Sequence, residues 1–128
     1  MDGLSRNTLP KKERLCGKKG IEKLLAKGRY DNVPGLRFCC LSGNGSENSR
    51  IMVSVPKKLF KRAVKRNLLK RRMRESYRRL KHELNMSEAA DILFTYSTKE
   101  IMSYEEIYAS MAQAMDKIRR MSGKNIEE

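Results

Sequence analysis

The sequence predicts an α+β fold, a two-layer sandwich of a small (about four-stranded) sheet and three helices. Two observations support this class. Hydrophobic residues make up 39% of the 128 residues, which is enough for one modest core and therefore for a single domain over residues 1–128. Helical and alternating hydrophobic spacings follow one another in the order helix, strand, strand, long helix, strand, helix.

The N-terminal residues 1–15 are predicted to be a loosely held basic arm, because they are polar and Pro10 opposes a helix. They lack the apolar core of a signal peptide. No apolar run in the chain approaches the ~20 residues that span a bilayer. We therefore expect a cytoplasmic protein.

A first helix is predicted over Lys18–Lys27. Ile21, Leu24 and Leu25 form an apolar patch at i, i+3 and i+4, and Gly28 is suited to end the helix. The next stretch, RYDNVPG, is predicted to turn the chain and to include a short extended piece.

Alternating hydrophobic residues predict three strands, over residues 36–41, 50–55 and 89–96. The loop SGNGSENS at residues 42–49 has the composition of a turn between antiparallel strands, so we expect the first two strands to form a hairpin. The second and third strands flank a long helix. These three elements form a βαβ crossover if the two strands are parallel, and the default hand of such a crossover is right.

Residues 57–81 are the most basic part of the chain, which has a net charge of +14. They hold 13 of its 29 Lys and Arg residues and one acid, Glu75. Apolar residues recur at steps of three and four through most of this segment, so we predict a helix that begins near Arg62 or Ala63. The stripe that would dock this helix on the sheet is Leu69, Met73, Tyr77, Leu80 and Leu84.

Two rows of polar residues lie beside the stripe on a helical wheel and are predicted to face outward. They are Arg66, Lys70 and Arg74 in the first row, and Asn67, Arg71 and Arg78 in the second. Like charges at positions i and i+4 repel each other. A purely structural helix would not normally accumulate this repulsion. Because guanidinium groups bind phosphate oxygens bidentately, we expect a polyanionic partner.

A last helix is predicted after Ser103, which forms a capping box with Glu106. Its apolar stripe is Ile107, Met111, Met115 and Ile118. The tail at residues 122–128 is expected to fray.

The chain has few residues suited to protein-borne catalysis. His82 is the only histidine, so neither a histidine-based metal site nor a Ser-His-Asp triad can be assembled. We expect no catalytic and no metal-binding residue in this chain. The cysteines are Cys16, Cys39 and Cys40, an odd number without a CxxC pair, and we expect buried thiols.

Four classes of protein are considered for a chain with such a basic helix, and two of them do not fit the sequence. A DNA-binding basic region of the leucine-zipper type requires heptads after it, and the sequence NMSE after Leu84 does not continue them. A membrane-surface helix has a broad apolar face, whereas this stripe is narrow. A ribosomal-type RNA-binding protein and a protein cofactor of an RNA enzyme remain.

The run SVPKKLFKRAVKRNLLKRRMRESYR resembles the signature of the bacterial ribonuclease P protein component. The matching core is Arg66-Asn67, Lys70-Arg71, Arg74 and Glu75. The matching residues before this core are Val53, Ser54, Val55, Lys57, Lys58, Ala63 and Val64. A weaker resemblance extends over about residues 9–120.

The resemblance implies a ribosomal protein S5 domain 2-like fold with a left-handed βαβ crossover. It also implies a ribonucleoprotein endonuclease, ribonuclease P, in which a catalytic RNA and its Mg²⁺ ions remove the 5′ leader from precursor tRNA. The protein would bind the catalytic RNA and the leader, without a membrane and without a small-molecule cofactor. The alternative is a ribosome-associated or general RNA-binding protein with no role in cleavage.

The resemblance also implies two sets of site residues. Those expected to bind RNA are Lys57, Lys58, Lys61, Arg62, Arg66, Asn67, Lys70, Arg71, Arg74 and Arg78. Those expected to form the leader cleft are Ile21, Leu25, Arg37, Phe38 and Leu41. The chain departs from the family pattern because three commonly aromatic cleft positions are aliphatic in it. Leu68 also replaces the second arginine of the family's Arg-Asn-Arg.

Overall fold

The computed structural model describes residues 13–15, 17–43, 48–81 and 89–127. The elements, in chain order, are α1 (Lys18–Lys27), β1 (Arg29–Val33), β2 (Leu36–Ser42), β3 (Arg50–Ser54), α2 (Ala63–Leu80), β4 (Ala90–Tyr96) and α3 (Tyr104–Glu127). The predicted α+β class, with a four-stranded sheet and three helices, is confirmed. Within the described ranges, no helix is long and apolar enough to cross a membrane.

The strands are ordered β1-β2-β4-β3 in the sheet. The predicted hairpin between residues 36–41 and 50–55 is wrong, because β4 lies between these strands, antiparallel to β2 and parallel to β3. The apolar sequence of β4 is buried at most of its positions, which suits a central strand with a neighbour on each side.

The hairpin of this fold joins β1 to β2 instead. It turns at Pro34-Gly35, where Gly35 has a φ of +77° that favours glycine. A Cβ at Gly35 would also lie 2.4 Å from the Met102 sulfur, so the turn packs closely on the segment before α3.

The strands β3 and β4 are parallel neighbours joined by α2, so the expected βαβ unit is present. Its left hand, implied by the family, stays a prediction.

The main core lies between the sheet and the pair α2 and α3. The predicted docking stripe of α2 is confirmed, since Leu69, Met73, Tyr77 and Leu80 are at most 2% exposed. Leu84 lies outside the described residues. The predicted two layers are therefore the sheet and these two helices.

Helix α1 packs on the opposite face of the sheet, over a smaller cluster formed by Leu15, Leu24 and Cys39. Along each strand, residues that point to this face alternate with residues that point to the face covered by α2 and α3. It is only partly covered, and the uncovered part is available to a ligand.

Residues 13–15, expected to belong to a loosely held arm, are attached to the sheet edge. The Leu15 N–H donates to the Ile51 carbonyl at 2.7 Å, and Lys81 forms an ion pair with Glu13 at 2.8 Å. Leu15 is 4% exposed, and its burial stabilises the attachment. Residues 1–12 lie outside the described part.

The start of α3 has the predicted capping box. The Ser103 N–H donates to Glu106 Oε1 at 2.9 Å, and the Glu106 N–H donates to Ser103 Oγ at 3.1 Å. At the other end, α3 continues to Glu127, and the fraying expected at residues 122–128 stays a prediction. No proline interrupts the helix there.

The two cysteines of β2 are buried on opposite faces of the sheet, as predicted. Burial raises the pKa of the Cys40 thiol to about 12, and burial also raises the pKa of Cys39, whose Sγ donates to the Leu24 carbonyl. Cys16 lies outside the described residues.

We expect Cys39 and Cys40 to resist alkylation at neutral pH in the folded protein, because the thiolate is the reactive form and a raised pKa keeps both thiols protonated. Peptide mapping by mass spectrometry after iodoacetamide treatment, with and without denaturant, measures this. Modification of either residue at the same rate in both conditions would contradict their burial.

Candidate nucleic-acid interface

Helix α2 and the turn before it carry all ten residues expected to bind RNA, and we call this surface the basic face. Its residues are Lys57, Lys58, Lys61, Arg62, Arg66, Asn67, Lys70, Arg71, Arg74 and Arg78. Six of these residues are exposed, and the four others are partly buried beside the docking stripe. The stripe holds α2 against the sheet, and Ala63 is the first helical residue, as the sequence predicts. The fold therefore presents a dense positive surface on a fixed helix.

Arg66 connects the helix to the turn before it. Its Nη1 donates to the carbonyl oxygens of Phe60 at 2.7 Å and Lys61 at 2.8 Å. The turn is also anchored by the Phe60 ring, whose centroid lies 5.8 Å from that of Tyr96 in the core. Arg66 thus positions Lys61 and its neighbours, and it keeps further N–H groups for a ligand.

Arg74 lies near a basic residue that the sequence patterns do not assign to this surface. Desolvation lowers the pKa of the Arg74 guanidinium, and the charge of Arg14 lowers it further. Arg14 reaches this position because its backbone forms a parallel bridge with Ile51 at the sheet edge. No local pattern in the sequence places residues 13–15 next to α2. Arg14 therefore extends the basic face.

Glu75 is the acid of the basic segment, and it occupies two of its arginines. Arg78 donates to both carboxylate oxygens, at 3.0 and 2.6 Å, and Arg79 donates at 3.2 Å. The hydrogen bond from Arg78 is the main reason that the pKa of Glu75 is lowered. The guanidinium groups of Arg78 and Arg66, which belong to the rows predicted to face outward, therefore also make hydrogen bonds within the protein, and both residues are partly buried.

Most of the residues expected in the leader cleft lie on the face of the sheet that carries α1. Leu25 and Arg37 are exposed, with Leu25 45% exposed. Ile21 and Leu41 are partly buried and pack against the cluster under α1. The structure thus brings these four residues to one partly open surface.

Phe38 is the exception, and its assignment to the cleft is wrong. It is 2% exposed and lies on the opposite face, where its ring centroid is 6.4 Å from that of Phe94. Since neighbouring strand residues alternate between faces, Phe38 cannot share a face with Arg37.

Tyr30, which no sequence pattern singles out, supplies an aromatic ring next to α1. Tyr30 is 62% exposed, pairs with Cys39 in the sheet and donates its hydroxyl to the Leu25 carbonyl at 2.7 Å. The short strand β1 has no clear hydrophobic alternation, so the sequence could not show which of its side chains point to which face of the sheet.

A row of polar residues crosses the same face of the sheet. Its members are register partners on adjacent strands: Asn32, Arg37, Thr95 and Ser54. Asn32 and Arg37 are exposed, and the other two are partly buried. Such a row offers hydrogen-bond donors and acceptors beside the apolar side chains of α1.

A buried ion pair lies on this face at the other end of the strands. Arg50 Nε and Nη2 donate to the two carboxylate oxygens of Asp91, both at 2.8 Å. The Asp91 side chain is only 6% exposed. The sequence does not reveal this pair, because the two residues are 41 positions apart.

The described residues include no group of three or more His, Cys, Asp or Glu side chains that could hold a metal ion. The basic face in this part of the chain is a set of cations and hydrogen-bonding groups, which suits the binding of a polyanion.

The chain is similar to known proteins over most of its length. A family model described as ribonuclease P matches residues 9–119. The ribonuclease P protein component of Porphyromonas gingivalis is 35% identical over 117 residues, with 86% of this chain and 85% of that protein covered. The corresponding protein of Borrelia hermsii is 34% identical over 92 residues, covering 68% of this chain and 75% of that protein.

Two solved structures share the fold. The Staphylococcus aureus RNase P protein matches with a TM-score of 0.68 and 24% identity, covering 86% of this chain and 97% of that chain. The Thermotoga maritima RNase P protein matches with a TM-score of 0.70 and 22% identity, covering 83% of this chain and 97% of that chain.

Proposed function

The chain belongs to the family of bacterial ribonuclease P protein components, and from this premise we propose how its two surfaces act in 5′ maturation of tRNA. As a member of this family it is part of the ribonuclease P holoenzyme, a ribonucleoprotein that removes the 5′ leader of precursor tRNA. The alternative of a general RNA-binding protein without a role in cleavage is not favoured.

The basic face binds the catalytic RNA subunit in this proposal. The observation that supports it best is the density of cations on a helix that its apolar stripe holds in place. Arg62 and Lys70 are two such cations, about 12 Å apart along the helix. A fixed helix loses less side-chain and backbone entropy when its cations bind phosphates.

The face that carries α1 binds the 5′ leader. Leu25 and Tyr30 provide apolar and aromatic surface, and Arg37 provides a cation in the polar row beside them. Stacking of one base on an aromatic ring contributes about 1–3 kcal/mol, so Tyr30 compensates in part for the aliphatic residues at the usual aromatic positions.

The chemistry lies in the RNA subunit, and Mg²⁺ ions are held mainly by RNA phosphates. Mg²⁺ prefers oxygen ligands and is commonly bound through phosphates together with water, which the RNA supplies. We place the holoenzyme in the cytoplasm, where precursor tRNA is made in a bacterium.

Processing of precursor tRNA at low Mg²⁺ tests the proposed function. The matching catalytic RNA is expected to remove the leader efficiently only when this chain is added, because the protein neutralises phosphates that otherwise repel the substrate. Cleavage products on a denaturing gel measure this. Equal rates with and without the chain, or cleavage by the chain alone, would contradict the proposal.

A further inference from the structure

A pocket of about 300 Å³ lies between α2 and the first residue of α3. Its lining residues are Arg71, Arg72, Glu75, Arg79 and Tyr104. On a helical wheel, Arg72 and Arg79 lie on the opposite flank of α2 from the row Arg66, Lys70 and Arg74. We call this feature the α2–α3 pocket, and it is separate from that row.

The α2–α3 pocket has an excess of positive charge. Three guanidinium groups and one carboxylate line it. The carboxylate of Glu75 is already shared between Arg79 inside the pocket and Arg78 outside it. Arg71 and Arg72 therefore have no carboxylate of their own in the pocket wall, and an anion would relieve their mutual repulsion.

Two of the guanidinium groups are held in place before any ligand binds. Arg72 Nη1 donates to the Met102 carbonyl, and Arg79 Nε donates to Glu75 at 3.2 Å. A guanidinium has five N–H donors in a planar fork that matches phosphate oxygens, so each side chain keeps donors for a ligand. Because the Arg72 guanidinium is already held by the Met102 carbonyl, its part in binding costs less side-chain entropy.

Tyr104 lines the other side of the pocket. Its hydroxyl is buried, and it has no hydrogen-bond partner among the described residues. Buried tyrosine hydroxyls normally have such a partner. The hydroxyl is shielded from solvent, so the arginine donors carry the proposed site. The pocket volume is at the low end of the range for small ligands.

We propose that the α2–α3 pocket binds a phosphoryl group, which is either a phosphodiester of the RNA or a free phosphate. The pocket itself is argued from the protein alone. Only the RNA source rests on the proposed function.

Arginine side-chain NMR of the full chain, titrated with inorganic phosphate at low salt, tests the pocket. We expect saturable shifts of the Nε–Hε signals of Arg72 and Arg79. Acetate at the same concentration is expected to bind more weakly, because it offers fewer oxygens than phosphate. Arg79→Gln is expected to weaken phosphate binding by roughly 10-fold, as for the loss of one charge-assisted contact.

Arg120→Gln is the matched control. Arg120 is also an exposed helical arginine paired with an acid four residues before it, Asp116 at 3.0 Å, and its replacement removes the same charge. Arg79→Gln and Arg120→Gln should both fold, because exposed ion pairs contribute little to stability. Shifts that do not saturate, or equal weakening by the two variants, would overturn the proposal.

Binding of the same variants to the catalytic RNA separates the two sources of phosphate. If the ligand is an RNA phosphodiester, Arg79→Gln lowers RNA affinity and reduces the salt slope by about 1, whereas Arg120→Gln does not. If only phosphate binding changes, the ligand is free phosphate. Failure of the unmodified chain to support processing would count against the proposed function and would leave the phosphate titration unaffected.

Discussion

Replacing both Arg62 and Lys70 with alanine is expected to weaken assembly with the catalytic RNA by roughly 100-fold at about 0.1 M salt. Each side chain is expected to contribute one charge-assisted phosphate contact of about 1.5 kcal/mol, and about 1.4 kcal/mol corresponds to a factor of ten. Neither side chain makes a hydrogen bond within the described residues, and Arg62, the N-cap residue of α2, makes no side-chain capping hydrogen bond. The free energy of unfolding should therefore change by less than about 0.5 kcal/mol.

Filter binding or fluorescence anisotropy over a series of salt concentrations measures this loss. The slope of log affinity against log salt should become shallower by about 2, since two phosphate contacts are removed. Arg119→Ala with Arg120→Ala removes the same charge from exposed ion pairs on α3 and is the control. Equal losses in the two double variants would show that net charge, and not the basic face, sets the affinity.

Arg66 is a less informative target, although it belongs to the family signature. Its guanidinium holds the Phe60 and Lys61 carbonyls, so Arg66→Ala would change the turn before α2 as well as remove a cation. A loss of RNA affinity in that variant would have two causes. The pair Arg62 and Lys70 avoids this ambiguity.

Asp91→Ala is expected to lower the free energy of unfolding by about 3 kcal/mol, because it leaves the Arg50 charge without its bidentate partner in a partly buried position. This loss of free energy is at the lower end of the range for breaking a buried ion pair, because the Arg50 side chain is 30% exposed. For a domain of this size the melting temperature should fall by roughly 10 °C. Denaturant titration and calorimetry measure the two quantities.

Two further variants show whether the loss comes from the broken Arg50–Asp91 contact. Arg50→Met combined with Asp91→Leu should recover most of the stability, because replacing both partners removes both charges from the partly buried position. Asp116→Ala, which removes the partner of Arg119 and Arg120 at an exposed site, should cost less than about 1 kcal/mol. Similar losses for Asp91→Ala and Asp116→Ala would contradict the importance of burial.

Local features of this protein follow from local patterns in its sequence. The apolar steps at Leu69, Met73 and Tyr77 predict the docked stripe of α2, and Ser103 with Glu106 predicts the start of α3. The spacing of cations around Arg66-Asn67 indicates the family, which the comparisons confirm. These features depend on residues within a few turns of one another, and helical geometry alone relates them.

Contacts between distant parts of the chain were decided only by the tertiary structure. The loop at residues 42–49 has the composition of a hairpin turn, yet β4 separates the strands that it joins, because an apolar strand gains more by pairing on both sides. The same arrangement sets which face Phe38 occupies and brings Arg50 to Asp91.

The sequence by itself therefore determined the three helices, three of the four strands, the charge of the basic face and the family. The tertiary structure decided the strand order, the face of the sheet on which Phe38 lies and the position of Arg14 near Arg74. The physical reason is that hydrophobic periodicity reports which face of an element is buried, but not which other element buries it. That choice depends on the packing free energy of the whole core.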